Sequence, residues 1–351
     1  MRKHQLIKPS DLYPLQDTLT VIGTFNPAAV VVDDRLLLLV RVAVTAKEQR
    51  EGQFARLRFI DEKFHFDWLA TSDFDTDDKR VLRRRDDGRI FLSSLSYLQM
   101  IWIDNYQEPP NAWKLRTGDV IVPESLYEVF GIEDPRCTWI DGCFYVTYTS
   151  VSAHGACTSL MTTTDFKTFK RHGVIFPCEN KDVVLFPDRI VGKIHSLHRP
   201  VSATPFCAPE IWTASSEDGI CWGHHHVLAS GSALFEGDRI GAGTPPVRHN
   251  GRYFSIYHAS SRCRPPARVG TYVGAIMEMV ICHGRVQLQR RSHKPFLVPT
   301  EPWELNGFVP NVVFPTGLIA LKDKWLVFYG AADTSVGVAE IMLDEVVQAL
   351  A

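Results

Sequence analysis

The sequence predicts an all-β fold, a five-bladed β-propeller with a central active-site funnel, and three observations carry that prediction. Short runs rich in β-branched and aromatic residues fill the chain, among them VVVDDRLLLLVRVAV, FARLRFI, CTWIDGCFYVTYTSV and YVGAIMEMVICHGRVQLQR. Asp-Gly, Asn-Gly, His-Gly and Lys-Asp pairs punctuate them as hairpin turns, and long helical periodicity is nearly missing. Four segments, WIDGCFYVTYTS, IVGKIHSLHRP, VRHNGRYFSIYHAS and ALKDKWLVFYGAAD, repeat the order strand, turn, strand every 50 to 70 residues or so, a period that suits propeller blades. Counting such units gives about five, with TTDFKTFKRHG and SSEDGICWGHH as outer-strand candidates. Propellers bind ligands where the inner strands converge on the axis.

The totals narrow the class. The chain has 351 residues, 45% hydrophobic and 22% charged, with a net charge of −2, so neither a nucleic acid nor an anionic membrane surface is expected as a partner. Eight cysteines include no C-x-x-C pair, which removes zinc spacing and reads as buried thiols in a reducing compartment. No run of about 18 apolar residues occurs and the N-terminus has no apolar signal segment, so the expected location is cytoplasmic.

One tetrapeptide stands out. Glu133-Asp134-Pro135-Arg136 places three charges and a proline at the start of a predicted strand pair, CTWIDGCFYVTYTS. Proline is tolerated as a first strand residue, and if this strand is innermost in its blade its charges face the funnel. The bland alternative is a solvated loop holding an Asp134–Arg136 ion pair. His224-His225-His226 looks like a metal tract, but neighbours on a strand point to opposite faces and no partner stands at ligand spacing, so no metal site is expected. Arg83-Arg84-Arg85 before Asp86-Asp87 reads as a solvated turn. Arg262, Arg264 and Arg268 around Pro265-Pro266 form either a loop over the funnel or an exposed basic loop.

The stretch GIEDPRCTWIDGCFYVTYTS, continued to FPDRI, resembles the β-mannoside phosphorylases and mannosidases of glycoside hydrolase family 130, a group of five-bladed propellers. FNPAAV, SLHRPVS, PEIW, RIGAGTPP, IYHAS, YVGA, VPNVVFPTG and FYGAADTSVGVA extend the resemblance along nearly the whole chain, in order. It implies one catalytic domain over residues 1–351 and inverting phosphorolysis of β-mannosides to α-mannose 1-phosphate. It further implies Asp134 as the general acid, in some members acting through a mannose hydroxyl. Lys181, Arg199, His258 and Tyr272 fall where the phosphorylases hold phosphate, and Asn26, Arg41, Arg136 and Asp333 fall at substrate-binding positions. The YEVFGIEDPR and ENKDVVLFP stretches are close to the β-1,2-acting branch. Homo-oligomers are common in the family.

The chemistry agrees with those roles. An inverting phosphorylase needs one carboxylic acid on the leaving-group side and uses phosphate as nucleophile, so a second catalytic carboxylate and a cofactor are both unnecessary. Lysine and arginine hold phosphate as point charge and fork. Asp134 has to carry a proton before reaction; burial or Glu133 would favour that, and Arg136 would oppose it. Lys181 has a competing role, since Glu179, Asp182 and Asp188 lie near it in sequence. Three rivals remain: an inverting mannosidase with Glu210 activating water, a phosphorylase for mannosyl-glucose or mannosyl-N-acetylglucosamine, and a sugar-binding propeller with a vestigial acid. Val42-Ala43 after Arg41, where the family often has an acidic residue, departs from the pattern on the acceptor side.

Overall fold

The computed structural model describes residues 1–75, 81–202, 204, 206–232, 234–263 and 269–351. Its architecture is almost entirely β, with five principal antiparallel sheets built in chain order. The first strand of each lies innermost: β1 (Leu19–Val32), β2 (Ile132–Ile140), β3 (Asn180–Leu185), β4 (Arg239–Gly241) and β5 (Val313–Ala320). From each, the chain turns outward through a second strand, respectively Arg35–Ala46, Cys143–Ser152, Ile194–Pro200, Arg252–Ser260 and Lys324–Ala331. The hairpin signals Asp141-Gly142, Asn250-Gly251 and His283-Gly284 sit at real turns with positive φ, as does Asp33-Asp34, which the sequence reading did not mark.

Sheets packed on both faces explain the continuous apolar runs. Leu36, Leu37, Leu38, Leu39 and Val40 are all fully buried although successive side chains point to opposite faces. The fifth sheet is completed from the other end of the chain, since Arg2–Ile7 pairs antiparallel with Ser335–Met342. Four successive polar residues, Arg2 to Gln5, hid this strand from sequence reading. FARLRFI belongs instead to a separate hairpin, Gln53–Ile60 with Lys63–Ala70, inside an excursion from the first sheet. No helix among the described residues is long and apolar enough to cross a membrane.

A second repeat ties the sheets to their connections. Tyr148 donates to Glu128 at 2.6 Å, Tyr257 to Glu236 at 2.7 Å and Tyr329 to Glu304 at 2.6 Å, each glutamate being buried. A cation from the outermost strand completes each latch: Arg171 on the Tyr148 hydroxyl, Arg291 near Glu236 and Lys3 on Glu304 at 2.8 Å. The third sheet has His198 at this place, hydrogen-bonded to Asn180 and to His225 of its outermost strand. Burial and the neighbouring His225 push the His198 imidazole down to about 3, so it is neutral. The histidine tract thus splits as expected, with His226 turned the other way onto Thr213. No cluster of three potential metal ligands occurs among the described residues.

Candidate active site

Three inner strands carry the same defect. Between Phe25 and Ala28, strand β1 advances three residues while its partner advances two, from Arg41 to Leu39. Strand β2 repeats this between Glu133 and Arg136 against Thr149 and Thr147, and strand β3 between Lys181 and Val184 against Arg199 and Leu197. Each bulge contains an Asn or Asp in the left-handed region: Asn26 at φ 49, Asp134 at φ 48 and Asp182 at φ 58. Short polar side chains tolerate that region best among non-glycine residues, and bulges re-aim side chains beside sites. The charges of Glu133-Asp134-Pro135-Arg136 are therefore built into the ladder, which answers why a strand begins with them.

The bulges open on one cleft of about 330 Å³. Of the residues predicted from sequence, Asn26, Arg41, Asp134, Lys181, Arg199, Tyr272 and Asp333 line it. Asp134 Oδ1 accepts from Asn26 Nδ2 at 2.8 Å and from Arg41 Nη1 at 2.9 Å. Arg41 is held in turn by Glu133 at 2.7 Å and by Ser96 at 3.0 Å. Oδ2 of Asp134 takes no hydrogen bond from a described residue, so one oxygen is pinned and the other is available to carry a proton.

Burial alone would raise the proton affinity of Asp134, but Arg41, Lys181 and Arg136 and the Asn26 hydrogen bond outweigh it and hold the carboxyl below its ordinary range. These charges favour the carboxylate form, the opposite of the protonated form expected of a general acid. Two predicted residues, Arg136 and His258, lie behind the cleft wall. Arg136 is buried, donating to the Asp134 carbonyl at 2.7 Å and to the Gly243 carbonyl at 3.2 Å. His258 is fully buried, 4.3 Å from Phe314 between ring centroids, with Nε2 3.4 Å from Asp182.

Sequence reading noticed Asp182 only as a competitor for Lys181. It bonds Arg199 instead, through Nε at 2.7 Å, with Arg136 Nη2 at 3.5 Å from its other oxygen. Burial works against the Asp182 charge, yet Arg199 and, after it, Arg136 and Lys181 keep it well below the usual carboxylate range. Lys181 makes no hydrogen bond or close ion pair with a described residue and faces the cleft. Arg239, unforeseen, also lines it, paired with Asp238 at 2.6 Å. Val81 and Leu92, from the excursion of the first sheet, and Phe308 add apolar wall. Glu210 lies elsewhere, in a separate pocket with Trp212 and Trp222. Arg262 donates to the Gly237 carbonyl at 3.0 Å, while Arg264 and Arg268 lie outside the described residues.

One cleft among converging β-sheets thus combines a buried carboxylate with an unbound oxygen, fit to carry a proton to a glycosidic bond, and cations fit to seat an anion. Comparison with known proteins agrees. Residues 93–351 match the family model Glyco_hydro_130, described as beta-1,4-mannooligosaccharide phosphorylase. The beta-1,2-mannobiose phosphorylase of Listeria innocua is 30% identical over 365 aligned positions, covering 99% of this chain and 97% of that protein. A protein of the same name from a Thermoanaerobacter species is 33% identical, covering 85% and 92%. The solved Listeria innocua enzyme in complex with beta-1,2-mannobiose superposes with a TM-score of 0.89 at 28% identity, covering 100% of this chain and 99% of that one. The chain belongs to glycoside hydrolase family 130.

Proposed function

We propose that this chain is an inverting phosphorylase that cleaves β-1,2-linked mannobiose or short β-1,2-mannooligosaccharides with inorganic phosphate, giving α-mannose 1-phosphate. The observation that carries the reading is that Lys181 and Arg199 line the same cleft as Asp134. A hydrolase has no use for those cations, and its suggested base, Glu210, lies in another pocket. The linkage is taken from the names of the Listeria and Thermoanaerobacter relatives; the family description prints β-1,4 instead.

In this reading the five sheets are the blades of one propeller spanning residues 1–351. Asp134 is the general acid, and Asn26, Arg41 and Asp333 hold the mannosyl unit around it. Lys181, Arg199 and Tyr272 seat phosphate, supported from behind by His258, while Arg136 fixes the backbone of Asp134. Phosphate bears on the charge balance at Asp134. Its negative charge offsets Lys181, one of the cations that hold the Asp134 carboxyl low, and so raises the proton affinity of Asp134. The proton then travels from Oδ2 to the leaving oxygen, directly or through a mannose hydroxyl, as phosphate attacks the anomeric carbon from the opposite face. This chemistry calls for no metal or organic cofactor. The eight cysteines are free and suit a cytoplasmic location, although only Cys137 and Cys157 are buried where burial was expected of all eight and Cys178, Cys207, Cys221 and Cys263 are exposed; a homo-oligomer would follow the habit of the family.

The test is incubation with β-1,2-mannobiose with and without phosphate. Mannose 1-phosphate formed only with phosphate is the expected result; free mannose released at the same rate without phosphate would overturn the reading.

A further inference from the structure

The repeat of bulges assigns a role to a residue outside the predicted set. We propose that Asp182 is the positioning residue of the anion seat, holding the Arg199 fork in the orientation that receives phosphate. The inference rests on the phosphorylase reading above and adds the group that organises its nucleophile.

Two independent observations converge on it. Asp182 occupies in strand β3 the position that Asp134 occupies in β2 and Asn26 in β1, at the same one-residue bulge and with the same left-handed backbone. Both other members touch the cleft chemistry directly, Asn26 donating to Asp134 itself. Asp182 is also the one carboxylate to which Arg199, Arg136 and His258 all turn, at 2.7, 3.5 and 3.4 Å. Because Arg199 spends its Nε on Asp182, its two terminal nitrogens remain for an oxyanion. A guanidinium is planar, so fixing one edge fixes the direction of the other. His258, pushed down to about 3 by burial despite Asp182, is a neutral ring braced against Phe314 and adds no competing charge.

Two effects of Asp182 on phosphate oppose each other, which makes the proposal sharp. As a negative charge it repels the anion, so if charge alone mattered, removing it would tighten phosphate binding. As an anchor it pre-orients Arg199, so removing it frees a long side chain with substantial rotamer entropy and loses a charge-assisted contact. The proposal requires the second effect to win.

The experiment is Asp182→Asn in the full chain, read by initial rates at varied phosphate and at varied β-1,2-mannobiose, and by thermal shift with inorganic phosphate alone. The expected result is a phosphate KM raised about tenfold or more, a mannobiose KM changed less than about threefold, and loss of the phosphate-induced shift. Arg199→Lys should reproduce that pattern, and the double variant should cost little more than either single one, since both break one contact. An unchanged or lowered phosphate KM in Asp182→Asn overturns the inference, as do equal losses for both substrates, which a merely structural role would give. If Asp182→Asn does not fold, Asp182→Glu, which keeps the charge but displaces it, must show the same selective loss. Absence of phosphate dependence in the unaltered protein would instead sink the phosphorylase reading, so the two failures are distinguishable.

Discussion

On the wall made by the first two sheets, Arg41 grips the carboxylate of Asp134; on the wall made by the third and fourth, Arg199 grips Asp182 from the same strand position. The backbone device is shared, a bulge with a left-handed Asx residue beside an arginine from the second strand. What differs is the surrounding charge. Glu133 and Asp333 join Asp134 against Arg41 on one side, whereas Arg136 and Lys181 join Arg199 against Asp182 on the other. One scaffold thus presents an acid-rich face and a cation-rich face across a single cleft. The bulge aims side chains, while the residues next to it decide which charges the aimed carboxylate faces.

That contrast can be broken from either side. The largest effect is expected for Asp134→Asn, which should lower phosphorolysis by about a thousandfold, within the range for loss of a general acid. Rates measured with mannobiose check this, and phosphate should still raise the melting temperature because the opposite wall is untouched. Lys181→Ala should act mainly through phosphate, while also raising the proton affinity of Asp134. Loss of one charge-assisted contact, about 1.5 to 3 kcal/mol, corresponds to roughly 10- to 150-fold in phosphate KM, with mannobiose KM little changed. Arg41→Lys keeps the charge but cannot span Glu133 and Asp134 together, so kcat should fall about tenfold and the alkaline limb of the pH–rate profile, where the general acid loses its proton, should move.

Smaller effects concern stability and separate the cleft from its supports. His198 and His258 are both held neutral, at about 3 in the folded protein, against about 6.5 for an unfolded histidine. Above about pH 6.5 neither state binds the proton. Between there and about pH 3 the unfolded chain takes up protons that the native one refuses, so stability falls as pH falls, by roughly 1 to 2 kcal/mol per group between pH 7 and 5. Melting curves at these two values should show the loss, and His198→Gln should flatten it. Asp134 and Asp182, with depressed folded values, add their own loss only below about pH 4. Tyr148→Phe leaves Glu128 without its hydroxyl donor and should cost about 1 to 2 kcal/mol, seen as a lower melting temperature at unchanged phosphate KM. A change in phosphate KM there would mean that latch and cleft are coupled.

Much of this was legible because it is local. Turn pairs such as Asp141-Gly142 and Asn250-Gly251 announce hairpins through their own backbone preferences, and the aromatic runs beside them read as strands. Other features left a weaker trace. The latches place a glutamate 20, 21 and 25 residues before a tyrosine, a spacing regular enough to have been found once aligned. Arg2–Ile7 left none, since its strand character depends on a partner more than 300 residues away.

By itself, then, the chain's local chemistry determined the β class, the hairpins, the charged cluster at Asp134 and, through resemblance, the residues around it. Only the tertiary structure decided that Arg136 and His258 stand behind the wall, that Asp182 serves Arg199 instead of Lys181, and that Asp134 rests ionised. Those outcomes depend on which charges from three separate sheets come within a few ångströms in a buried place, where desolvation and Coulomb terms are large and nearly cancel. No spacing along one strand records that balance.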